Sequence, residues 1–289
     1  MPSTPSTGRS ATVPAYCCGS TPEPSAWDVI PTRASTGMIE LPGTYPFAEG
    51  LSAVVFLDFD GTLTPVDIGD TLLCRYSNAA ELLPAVRAGQ LSVLEYYREV
   101  CRKLRATPEE LAAAACEIGL RPYARELVES CSRHGAGVAI LSDGFDAYIL
   151  PVLRTAGMEH LPIACNLLRW TGSGYEPEFP WAQQRCQLDC PAPSPCAACK
   201  RAALLSWAPP SAAVVYVGDG MSDFCPALFA DVVFARGELV DWCRSRGIGY
   251  IPYGDLFELR QRLEELFRRR RLFQRYLPLR RRQRAWVEE

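Results

Sequence analysis

Histidine and lysine are nearly missing from this chain of 289 residues: it has two of each, His134, His160, Lys103 and Lys200, against 28 arginines. Neither histidine stands in a motif, and both read as ordinary surface or helix-end residues. So few histidines argue against a nucleophile activated by a histidine base. No uninterrupted apolar run approaches the ~18 residues of a membrane-spanning helix, which excludes an integral membrane pump or transporter. The N-terminus also lacks a basic segment followed by an apolar stretch and a small-residue cleavage site, so no secretory signal is read and a cytoplasmic location is expected. Cysteine, in contrast, is plentiful at thirteen. Without an export signal these read as thiols or metal ligands rather than a disulfide framework.

What is present is the composition of a folded protein, 48% hydrophobic and 22% charged. The net charge of −3 is unevenly spread, because residues 268–284 hold nine arginines and no acids, which leaves the rest of the chain acidic. A basic tail suits nucleic acid or anionic lipid. A solvated helix end is the simpler reading, and no membrane or nucleic-acid partner is expected. Residues 1–50 contain 26 Pro, Ser, Thr or Gly without a sustained period, which predicts a flexible leader.

From Leu51 onward, short β-rich runs alternate with helical patterns. The runs are Ala53–Leu57, Val138–Leu141, Val214–Val217, Asp231–Phe234 and Tyr250-Ile251. They predict an α/β fold, a parallel sheet with helices on both faces. About eighty residues between the first two runs carry no strand signal. There, Ser92 with Glu95 and Thr107 with Glu110 are capping boxes, Pro108 suits a first helical turn and Gly119 a helix stop. Residues 67–120 are therefore expected to form a helical cap inserted into a core made of 51–66 and 121–260. Residues 163–199 form a small insert, a β-hairpin around Thr171-Gly-Ser-Gly174 followed by a cysteine-rich stretch. Leu256, Leu259, Leu263 and Leu266 predict an amphipathic helix against the body, with 261–289 completing that helix and the arginine-rich tail.

Asp58-Phe-Asp60-Gly61-Thr62-Leu63-Thr64 follows the first strand directly. Alternation sends Asp58 and Asp60 to one side at the strand's carboxyl end, where open α/β sheets bind ligands. Two crowded acids call for a cation between them or a retained proton, which suits one nucleophile and one general acid. Ser142-Asp143-Gly144 ends the second strand with a hydroxyl and glycine-relieved amides, suited to a phosphate oxygen. Gly218-Asp219-Gly220-Met-Ser-Asp223 ends the third, and Asp219 with Asp58 makes an oxygen ligand set for Mg²⁺. Lys200 falls between the second and third of these strands, where a compact ammonium can steady Asp58 and a transferring phosphoryl group.

In chain order, Asp58-Phe-Asp-Gly-Thr-Leu-Thr, Ser142, Lys200 and Gly218-Asp-Gly-Met-Ser-Asp223 resemble the four signatures of the haloacid dehalogenase superfamily of phosphatases, over about residues 53–260. The helical insert and Ser142-Asp-Gly-Phe145 resemble the phosphoserine phosphatase branch. The closing Phe229–Arg236 and Tyr250–Phe257 stretches, and the cysteines before Lys200, are more similar to the methionine-salvage methylthiopentenyl-phosphate phosphatases. The resemblance implies a Rossmann-like core with a C1-type cap. It implies that Asp58 attacks phosphorus and Asp60 serves as acid and then base, with Ser142 and Lys200 on the phosphoryl oxygens. Mg²⁺ would be held by Asp58, Asp60 through its carbonyl, and Asp219, with Asp223 orienting the group. The acid at Asp60 speaks against dehalogenation. Asp67, nine residues beyond the nucleophile, takes the place of a substrate-sensing glutamate, and Thr62 and Gly144 join it as substrate-binding candidates. Phosphoserine enzymes usually show serine and two glycines where this chain has Ser142-Asp143-Gly144.

Cys186, Cys190, Cys196 and Cys199 lie within 14 residues and abut Lys200. A four-thiolate Zn²⁺ site, reduced structural thiols and a redox-sensitive pair all fit this spacing. The expected function is a Mg²⁺-dependent phosphomonoesterase for a small-molecule phosphate ester: phosphoserine, a methionine-salvage enol phosphate, or a phosphorylated amine or vitamin. The alternatives are a binding or regulatory protein acting through the cysteine loop or basic tail, and a phosphotransferase. The oligomeric state is not legible.

Overall fold

Ala53–Leu57 forms strand β1, and all five of its side chains are buried. Val55 and Leu57 enter one apolar cluster and Val54 and Phe56 another, so both faces of the strand are covered. Each such side chain contributes roughly 1.5–3 kcal/mol by leaving water, which makes β1 the natural centre of the sheet. The computed structural model describes residues 39–182 and 195–288. Six more strands complete the sheet: β2 (Gly137–Phe145), β3 (Ile163–Trp170), β4 (Tyr175–Glu178), β5 (Ala213–Gly218), β6 (Val232–Ala235) and β7 (Ile251–Pro252). Their order is β4-β3-β2-β1-β5-β6-β7, with β4 alone antiparallel. The chain moves outward from β1 through β2 and β3, then returns to β5 on the other side of β1. Leu57 lies opposite Ile140 of β2 and Val217 of β5. The crevice beyond these residues is a topological switch point, the place where such sheets bind ligands.

Four helices separate β1 from β2: α1 (Ile68–Tyr76), α2 (Ala79–Arg87), α3 (Val93–Arg102) and α4 (Pro108–Ile118). Both predicted capping boxes form, Ser92 with Glu95 and Thr107 with Glu110, and Gly119 ends α4 at φ +66°. Helices α5 (Ala124–Arg133), α6 (Asp146–Thr155) and α10 (Leu256–Arg268) cover one face of the sheet, with Leu256, Leu259 and Leu263 buried as the periodicity predicts. Helices α7 (Lys200–Trp207), α8 (Phe224–Ala227), α9 (Gly237–Ser245) and α11 (Tyr276–Glu288) contribute to the apolar cluster on the other.

The structure departs from the sequence expectations in three places. Residues 39–50 of the expected leader are docked: Ile39 bridges Ile163, and the indoles of Trp181 and Trp207 donate to the carbonyls of Glu40 and Thr44. Buried indole N–H groups require acceptors, and this segment supplies them. Second, β3 is no side hairpin, since it pairs in parallel with β2 and extends the main sheet, leaving only β4 as an addition. Third, the arginine-rich tail is not a solvated end. It folds into α11, where Arg282 is fully buried in an ion pair with Asp231 at 3.0 Å. Residues 1–38 of the expected leader, and Cys186 and Cys190 of the cysteine cluster, lie outside the described residues.

Candidate active site

The amide of Asp58 donates to the carbonyl of Val217 at 2.9 Å, continuing the pairing of β1 with β5 by one residue. This fixes the backbone that carries the Asp58 carboxylate, which is itself 2% exposed. Lys200, the first residue of α7, is equally enclosed, and its Nζ donates to Asp58 Oδ1 at 2.5 Å and to Asp223 Oδ1 at 2.8 Å. Asp143 Oδ1 lies 4.0 Å from the same nitrogen. Four protein donors converge on Asp223: Lys200 and the Tyr216 hydroxyl at 2.6 Å on Oδ1, and the amides of Asp219 and Gly220 at 2.8 and 3.0 Å on Oδ2. Asp223 therefore ties the loop after β5 to Lys200.

Two glycines permit these approaches. A Cβ on Gly61, whose φ is +76°, would lie 2.4 Å from Asp219 Oδ2, and one on Gly218 would lie 2.4 Å from Asp223 Oδ2. The Thr62 hydroxyl donates to Asp219 Oδ1 at 3.3 Å. The structure thus places Thr62 on a carboxylate of the predicted metal set.

Asp60 occupies a different environment. Its Oδ1 accepts from the Ile68 amide at the start of α1 at 2.8 Å, and its Oδ2 from the Tyr148 hydroxyl at 2.7 Å. Burial raises its pKa to about 7, against the opposing pull of those two hydrogen bonds and of a third from the Gly69 amide at 3.4 Å. Ser142 is buried near the end of β2, with its Oγ accepting from the Gly144 amide at 3.0 Å. The β2–β3 register shifts between Leu141 and Phe145, so Ser142-Asp143-Gly144 sits in a local irregularity of the ladder. A Cβ on Gly144 would fall 1.7 Å from the Tyr148 hydroxyl. Gly144 is the gap through which Tyr148 reaches Asp60.

Burial, then the carboxylates of Asp223 and Asp219, raise Asp58 well above the ordinary carboxylate range, while Lys200 pulls it down. Burial works against the charge on Lys200, but Asp223 and Asp58 outweigh it and hold the ammonium protonated. Asp219 is raised to about 6 by burial and then by Asp223. Carboxylate oxygens of Asp58, Asp219 and Asp223 lie within 4.8 Å of one another around the single ammonium of Lys200. An all-oxygen cluster with two surplus negative charges matches a hard divalent cation such as Mg²⁺.

Asp67 caps α1, its Oδ1 accepting from the Asp70 amide at 2.6 Å, and its carboxyl lies within electrostatic reach of Asp60 and Asp143. Cys199 precedes Lys200 as the N-cap of α7. Sequence reasoning missed two residues that hold the site together, Tyr216 and Tyr148. Tyr216 left a signal, since it interrupts an aliphatic buried strand with a hydroxyl that must find a partner. Tyr148 left none, because only the packing of α6 brings it to Asp60.

The sequence profile of the haloacid dehalogenase-like hydrolases matches residues 55–227, from β1 through the loop that carries Asp219 and Asp223. This chain belongs to that family. It is 28% identical over 214 residues to the 2-hydroxy-3-keto-5-methylthiopentenyl-1-phosphate phosphatase of Exiguobacterium sp. (strain ATCC BAA-1283 / AT1b), an alignment spanning 72% of this chain and 96% of that relative. With the enzyme of the same name from Geobacillus kaustophilus it shares 27% identity over 220 residues, 74% of this chain and 96% of the relative. Among solved structures it resembles a phospho-aspartyl intermediate analogue of phosphoserine phosphatase, with a TM-score of 0.55 and 18% identity over 75% of this chain and 99% of the other. The phosphoserine phosphatase of T. onnurineus superposes with a TM-score of 0.52 and 19% identity, covering 74% and 95% of the two chains. At such identities the likeness is one of fold.

Proposed function

We propose that this protein is a Mg²⁺-dependent phosphomonoesterase that hydrolyses a small-metabolite phosphate through an aspartyl-phosphate on Asp58. The observation that carries this reading is the contrast between the two acids after β1. Asp58 is paired with a buried ammonium, whereas Asp60 has no cation within ion-pair distance among the described residues and its pKa near 7 lets it carry a proton to a leaving group. Asp58 attacks phosphorus as Asp60 delivers its proton to the departing alcohol oxygen. Asp60, now a carboxylate, takes a proton from the water that cleaves the acyl phosphate, and Asp58 is regenerated. Lys200 and the Ser142 hydroxyl hold the phosphoryl oxygens, and Tyr148 with the Ile68 amide fixes the orientation of Asp60. Mg²⁺, held by Asp58, Asp219 and the carbonyl of Asp60, would supply charge neutralisation for the transferring group. Asp223 positions that set through the loop amides and Lys200.

The start of α1 supplies the amide that binds Asp60, so the helical segment overhangs the acid and favours a small substrate over a phosphoprotein. The named activities of the relatives favour a methionine-salvage enol phosphate, and the fold neighbours favour phosphoserine. The test is inorganic phosphate release from a panel of small phosphate esters, with Mg²⁺ and with chelator, for wild type and Asp58→Asn. Mg²⁺-dependent release that falls to background in the variant is the expected result. No release from any ester by folded, Mg²⁺-supplied protein would overturn the reading.

A further inference from the structure

The arginine-rich segment has two faces that behave differently. Its inner face is docked to the body: Arg282 pairs with Asp231, the Gln274 amide donates to the carbonyls of Pro210 and Ala212, and the Trp286 indole donates to the carbonyl of Leu205. Outside these anchors, Leu277 is 63% exposed and Val287 87%, with exposed Arg280 between them, while Arg281 is a further anchor that donates to the carbonyl of Leu228 at 3.0 Å. Phe273, which leads into the helix, and Tyr276, its first residue, are 60% and 75% exposed. Large apolar side chains are therefore held in water on a stretch whose residues 268–284 carry nine arginines and no acids, the first acid being Glu288 at the end of α11.

The anchors also give the location of this surface. Ala212 immediately precedes β5 and Asp231 immediately precedes β6, so α11 lies at the amino ends of the strands. Asp58, Ser142 and Asp219 stand at the opposite, carboxyl ends. A partner seated on α11 would leave the active site open.

We propose that α11 and the segment leading into it form a docking surface for an anionic lipid bilayer. Guanidinium groups complement anionic headgroups, and aromatic and aliphatic side chains set among them suit the boundary between headgroups and acyl chains. A solvated helix needs no exposed Phe273, Leu277 or Val287, and a duplex phosphate backbone would be met by the arginines alone. This surface is independent of the phosphatase reading, and its test measures no turnover.

The full chain is sedimented with phosphatidylcholine vesicles prepared with and without phosphatidylserine, at low and high salt. Binding is expected only with phosphatidylserine and is expected to weaken with salt. Combined Arg271→Glu and Arg280→Glu should lower partitioning by at least about tenfold. Combined Leu277→Asp and Val287→Asp, at side chains already in solvent, should also lower it while the thermal midpoint stays at the wild-type value. Four results would overturn the proposal: no binding to anionic vesicles, equal binding to pure phosphatidylcholine, preferential binding to duplex DNA or RNA, or a dimer that the arginine reversals dissolve.

Discussion

Asp58 and Asp60 are the same chemical group two residues apart, and what surrounds each sets its role. The ammonium of Lys200 lies 2.5 Å from Asp58, while Asp60 receives two amides and one phenol. A carboxyl held near pH 7 by burial is a better proton donor at neutral pH than one with an ordinary pKa near 4. The Tyr148 hydroxyl holds the Asp60 carboxyl in place. Tyr148→Phe should therefore lower kcat by roughly tenfold, the equivalent of about 1.4 kcal/mol, with a much smaller change in KM. Steady-state kinetics on the best ester of the panel measures both. A KM increase with kcat intact would mean that Tyr148 contacts the substrate instead.

Helix α6 follows β2 without a loop, and its first residue, Asp146, joins it to β3 by accepting from the Leu168 amide at 2.8 Å. Burial pushes the Asp146 carboxyl up to about 6, with the Leu168 amide acting in the other direction. The folded protein thus holds this proton more tightly than the unfolded chain, whose aspartates titrate near 3.9. The protonated carboxyl contributes its stability below about pH 4, and that contribution is lost as pH rises toward 6. Asp146→Asn keeps an acceptor for Leu168 and removes the charge. Denaturant unfolding should find the variant more stable than wild type at pH 8, by roughly 1–2 kcal/mol after allowance for a half-buried group, and equal to it at pH 4. A variant less stable at both values would mean that the ionised carboxylate is favoured there, by the first turn of α6.

On the scale of the whole molecule, Asp231 joins elements distant in sequence. It accepts from the Val214 amide of β5 at 2.8 Å, from the Arg275 amide at 2.7 Å and from Arg282 of α11 at 3.0 Å. Removing one partner of a buried pair leaves a desolvated charge behind, which costs about 3–5 kcal/mol, whereas replacing both costs much less. Arg282→Met should lower stability to urea by that amount, and adding Asp231→Asn should restore a large part of it. Equal losses in the single and double variants would show that the packing of α11, rather than the pair, holds the C-terminus in place.

Much of this protein was determined by its sequence alone. Short unbroken runs of β-branched and aliphatic residues between helical patterns must pair into a sheet covered on both faces, so the core strands were legible from Ala53 to Ile251. Ser-x-x-Glu and Thr-x-x-Glu satisfy their own helix amides locally, so α3 and α4 began where those boxes lie. The aspartates of the first and fourth signatures, with Ser142, end strands, and strand ends carry side chains to one edge of a parallel sheet. The remainder depends on contacts between distant residues. Only the parallel pairing of β3 with β2 distinguishes a sheet strand from a hairpin, and only the buried Asp231 gives an arginine tail a reason to fold. Tyr148 enters the site because α6 packs over a glycine at 144, an approach that no local pattern encodes. Local rules decide which residues stand at an edge, while their protonation and orientation depend on what the tertiary structure packs against them, through burial and unlike neighbours.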